Sequence, residues 1–60
     1  MKYKRACHKL MNEVFTNKAV AYAWLWKNFK VRHLSDLDDK KDANLLTTIW
    51  TEMYKIGIMS

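Results

Sequence analysis

Cys7, His8 and His33 make up the chain's whole supply of thiol and imidazole groups. They are the first place to look for catalytic or metal chemistry. Cys7 and His8 are adjacent, so on a helix they point about 100° apart. Neither a CxxC nor an HxxxH spacing supplies the further ligands that a tetrahedral metal site needs. No metal and no cofactor is expected, and Cys7 reads as a small buried hydrophobe. The carboxylates of DLDDKKD, residues 36–42, crowd together as in a cation loop but lack the glycine and the terminal glutamate of a calcium hand. Helix capping explains them better. No serine or cysteine has a paired base at a readable spacing, and no glycine-rich loop exists to hold phosphate. Sixty residues leave little room for a closed pocket, so the chain is not expected to be an enzyme.

Binding chemistry is better represented. Through Leu34 eight basic residues face Glu13 alone, which gives +7; from Ser35 onward three lysines face five carboxylates, which gives −2. A basic half of this kind meets a polyanion or an acidic protein surface, and equally serves as a solvated face. Within it, Trp24 stands one helical turn from Lys27, with Lys30, Arg32 and His33 close behind. An indole beside cations suits an anchor for a partner protein or a stack on a base. These five residues are the candidate partner-binding site. Lys2, Arg5 and Lys9, which share one face of the first segment, are its electrostatic support.

The elements that must position these residues read as three helices. Proline is absent and Gly57 is the only glycine, so nothing punctuates the interior as the turns of a sheet protein would. Tyr3, Cys7, Leu10 and Val14 fall at helical spacing, with Ala6 and Met11 widening the stripe. A second helix begins near Thr16-Asn17, whose short polar side chains can cap it, and runs to about Lys30. Ser35-Asp36-Leu37-Asp38 announces a third, which starts there or restarts at Asp42 after a short turn. Leu46, Ile49, Trp50 and Met53 line one side of it. Gly57 is expected to end it as a left-handed cap, with Ile58 folding back onto Met53. The eight apolar residues of AVAYAWLW, 19–26, suit a middle helix packed by both neighbours. The expected fold is all-α: a three-helix bundle over residues 1–60, one domain, with the middle helix most buried. Trp26, Trp50, Leu25, Leu46, Phe29 and Ile49 are assigned to the core, and the Trp24 face is expected to stay partly open.

The single cysteine excludes an intrachain disulfide and suits a reducing cytoplasm, and the charges threaded through MKYKRACHKLMNEVF interrupt the apolar core of a signal peptide. An intracellular, soluble chain, complete from Met1 to Ser60, is expected.

Residues 21–50, AYAWLWKNFKVRHLSDLDDKKDANLLTTIW, resemble a small helical module of phage-encoded recombination and regulatory proteins. The resemblance is carried by Ala21, Tyr22, Trp24 and Leu25, then by Val31, Leu34, Ser35 and Leu37 of the connector and its cap. Ala43, Leu45 and Leu46 complete it. It covers about half the chain. Some members carry cysteines that suggest zinc, and the matching stretch here has none. The resemblance implies a phage-type accessory or inhibitory factor in the host cytoplasm, acting on host or viral DNA or RNA machinery. The leading expectation is therefore a protein-binding module. A weakly selective nucleic-acid binder and a homodimeric structural module remain open beside it.

Overall fold

The computed structural model describes residues 2–59. Three α-helices, α1 (Tyr3–Val14), α2 (Lys18–Phe29) and α3 (Ala43–Met59), form a small all-α bundle, with a 3-10 turn at Leu34–Asp36 between the last two. No strand occurs among the described residues, and none of their helices is long and apolar enough to cross a membrane.

Local chemistry accounts for most of the boundaries. The α1 stripe drives Cys7 and Met11 into the core and half-buries Tyr3 and Leu10. The helix ends where Phe15 turns extended, its N–H still bonded to the Met11 carbonyl at 2.9 Å. Asn17 caps α2 as its position suggested, its Oδ1 accepting the Ala19 N–H at 2.8 Å. At the other end Lys30 adopts the left-handed conformation, φ 58° and ψ 33°, and its N–H closes on the Trp26 carbonyl at 2.9 Å. It is the only non-glycine residue with positive φ among those described. That cap turns the chain back, so that Val31 and Leu34 drop into the core.

The acidic connector caps helices and turns, but not in the way the sequence suggests. Ser35-Asp36 lies in the 3-10 turn, and α3 starts only at Ala43, so the restart after a turn is the alternative realised. Asp38 accepts the Lys41 and Lys40 N–H groups at 2.7 and 2.9 Å, and the Asp42 carboxylate accepts the Asp38 N–H at 2.8 Å. Asp39 reaches across to α1, where its Oδ1 accepts the Lys4 N–H at 2.8 Å. Lys2, the residue in the cap position of α1, supplies no side-chain acceptor, so a carboxylate 35 residues away satisfies a first-turn amide instead.

Two expectations about the core need correction. The middle helix is not sandwiched between the others: α1 and α3 form the principal helix–helix contact, and α2 buries only Ala21 and Leu25 completely. Its apolar residues are spread around the circumference, and only the side of Ala21 and Leu25 meets the core. Trp26 and Trp50 are also not core, being 44% and 37% exposed. Smaller side chains fill the interior: Cys7, Met11, Leu25, Leu34, Leu46, Ile49 and Met53, with Phe29 only partly covered. Gly57 does not end α3 either. The helix continues through Met59, and a Cβ at Gly57 would come within 3.3 Å of the Val14 Cγ2. The glycine allows the last turns of α1 and α3 to approach, and it needs no left-handed backbone.

Candidate functional site

The five residues of the expected partner site are divided between two places. Trp24 is half-buried in an aromatic layer, with Phe15 and Phe29 rings 5.5 and 5.6 Å away. The opening beside it, about 360 Å³, is bordered by the polar edge of α3, where Lys55 and Glu52 form an ion pair at 3.3 Å. The cations gather around Trp26 instead. Lys30 Nζ lies 5.4 Å and Arg32 Cζ 5.2 Å from the centre of its ring. His33 meets Tyr22 edge-on at 5.1 Å. Lys27 is exposed in the last turn of α2, where the negative helix end favours a cation. Lys30 and Arg32 thus stand beside Trp26 and not beside Trp24. Residues 22 and 26 are successive turns of one α2 face, and the left-handed cap at Lys30, just past the helix, carries Arg32 back onto it.

A second surface lies between α1 and α3, where the core residues Cys7 and Leu46 border one end of it. Three adjoining hollows of about 270, 250 and 220 Å³ run along it. The first two share Ala6 and Trp50, and the last two share Leu10 and Glu13, so together they form one furrow. Trp50 and Tyr54 stand in its α3 wall, stacked with centroids 5.1 Å apart and ring planes at 10°. Ile58, 66% exposed, continues the line. Turn by turn, Thr47, Trp50, Tyr54 and Ile58 keep the i, i+3, i+4 register of a docking stripe, as do Tyr3, Ala6 and Leu10 on the α1 side. Lys2, Arg5 and Lys9 are all exposed: Lys9 borders the middle hollow beside Glu13, and Lys2 and Arg5 stand at the start of α1. The α3 rim carries Thr47 and Thr51, whose hydroxyls are bonded to the Ala43 and Thr47 carbonyls. Sequence reasoning missed this stripe because α3 has more apolar residues than one face can bury, and Trp50 was counted with Leu46, Ile49 and Met53. The aromatic pair four residues apart, beyond the aliphatic core positions, was the available signal.

Cys7 is shut away at 1% exposure, with its thiol directed at the Leu46 carbonyl, 3.3 Å away. Burial pushes the thiol up to about 11; the Asp39 charge adds to the shift, and the backbone at Trp50 opposes it. Its place is that of a packing residue in the core. Among the described residues no three His, Cys, Asp or Glu side chains gather as a metal would require. Comparison of the chain with protein-family models, with characterised proteins and with solved structures finds no match.

Proposed function

We propose that the chain is a small protein-binding module, of the accessory or inhibitory kind that the phage-module resemblance implies, and that its docking face is the α1–α3 furrow. One observation carries the reading: Trp50 and Tyr54 are stacked on each other on the open side of α3, 37% and 47% exposed. Large apolar groups left together at the surface mark interaction sites, and paired aromatics are frequent binding anchors. A furrow between two helices, with apolar groups at helical spacing, accepts the apolar face of a third. Lys2, Arg5 and Lys9 on the α1 side outnumber Glu13 there and favour carboxylates along one edge of that incoming helix. The same charges disfavour a second copy, because two such faces in contact would bring both sets of cations together on chains that each carry +5.

The experiment compares the wild-type chain with a Trp50→Ser/Tyr54→Ser variant as bait in a nuclease-treated bacterial lysate, with helicity checked by circular dichroism. A retained protein that survives moderate salt and disappears with the double variant supports the reading. Loss of an anchor of this type weakens binding by about 2 kcal/mol or more, roughly 30-fold. Capture that the double substitution does not change, or a stable dimer in sedimentation, overturns it.

A further inference from the structure

The surface around Trp26 has no residue in common with the furrow and carries a different ligand chemistry. Residues 27–33, KNFKVRH, hold Lys27, Lys30, Arg32 and His33 without a carboxylate among them. Among the described residues the one ion pair is Lys55 with Glu52, so Lys30 and Arg32 beside Trp26 and Lys27 in the last turn of α2 are not neutralised. Tyr22, Ala23, Trp26 and Arg32 border a shallow, open recess of about 370 Å³. Two of its walls are aromatic and one is a guanidinium. The short Ala23 side chain leaves its floor clear, and His33 packed edge-on against Tyr22 steadies the phenol ring.

A ligand that uses every wall must be flat, with π-faces, and must carry negative charge close to the ring. A free phosphate engages the cations and leaves the indole idle. An aliphatic side chain does the reverse. A duplex keeps its bases stacked on one another and offers only its backbone. A nucleotide in a single strand has an unstacked base and a phosphate on each side of it. From this we infer that the Tyr22–Trp26–Arg32 recess is a site for single-stranded nucleic acid: one base stacks in the recess while Lys27, Lys30 and Arg32 hold neighbouring phosphates. Stacking accepts any base, so the site reads no sequence. Three phosphate contacts give a slope of log affinity against log salt of about −2 for a single strand.

The test is fluorescence anisotropy of a labelled ten-residue oligothymidylate, with an abasic strand of equal length, the matching duplex and a poly-glutamate peptide as competitors. For the wild-type chain the expected slope is close to −2, with the base-bearing strand bound more tightly than all three competitors. Trp26→Ala weakens the thymidylate complex by roughly 5- to 150-fold, the worth of one base–aromatic stack, and leaves the abasic strand unaffected. Arg32→Gln flattens the slope by about 0.7. Trp50→Ser/Tyr54→Ser leaves oligonucleotide affinity as it was, which separates this site from the furrow. Equal affinity for abasic and base-bearing strands reduces the site to charge alone and overturns the inference. So does a poly-glutamate peptide that competes as well as the oligonucleotide, which would assign the cations to an acidic protein, and so does the absence of binding at low salt.

Discussion

Asp39→Ala removes the carboxylate that holds the first turn of α1 from across the molecule. The bond is short, 2.8 Å, and partly shielded, and its acceptor is charged at the positive end of the helix. Loss of a local N-cap costs about 0.5–2 kcal/mol, and a charged acceptor places this one toward the upper part of that range. No other side chain replaces it, because Lys2 in the cap position has no acceptor to offer. A loss of about 1.5 kcal/mol from a domain this small, whose total stability rarely exceeds about 3–5 kcal/mol, lowers Tm by roughly 6–12 °C. Thermal melts followed by circular dichroism measure it, with Asp36→Ala as the control, since the Asp36 carboxylate takes no backbone N–H and its loss falls within about 0.5 kcal/mol. Asp39→Asn keeps an acceptor and loses the charge, so its melt falls between the two. It also lowers the Cys7 pKa, because the Asp39 charge is one of the causes that raise it. If Asp39→Ala melts with Asp36→Ala, the cross-molecule cap contributes nothing and the reasoning fails.

Other outcomes follow from the same geometry. Leu25→Ala opens a cavity at a fully buried position and costs about 2–5 kcal/mol in urea denaturation, whereas Trp26→Ala, one residue on but exposed, costs less than about 1 kcal/mol; equal losses would return Trp26 to the core. The folded pKa of Cys7, about 11, lies above its ordinary value of 9.0. Its contribution to stability is therefore full below pH 9 and is lost as pH rises through 11, by about 3 kcal/mol in all. Urea midpoints of the wild type should fall across that window relative to Cys7→Ala, and parallel curves would contradict the burial of the thiol. Asp38 behaves oppositely. The Lys41 and Lys40 N–H groups hold its pKa down, so its contribution is present above the usual carboxylate range and fades as acid protonates it, and Asp38→Ala should flatten the acid limb of a stability–pH profile.

The elements could be read from the residues because their signals are local. Period-3.6 spacing placed α1, the Asn17 cap started α2, and the chain without proline left no room for hairpins. Relations between helices were not legible in the same way. A lysine in the left-handed cap carries no sequence signature, yet it decides that Arg32 and Lys30 meet Trp26 and not Trp24. Three tryptophans in so small a chain invite assignment to the core, but the space between these helices fits Leu, Ile and Met, and two of the indoles are left outside. Asp39 shows the same limit, since its capping role was foreseeable and its target on α1 was not.

The central claim, that another protein docks along the α1–α3 furrow, is tested most directly by photo-crosslinking. A benzoylphenylalanine is placed at Tyr54 in the furrow or at Val20, which is 56% exposed on α2, and the two chains are irradiated in the cell. One discrete adduct is expected from Tyr54, competed away by untagged wild-type chain, with no counterpart from Val20. An adduct at twice the chain mass, the same pattern from both positions, or none from Tyr54 would contradict it.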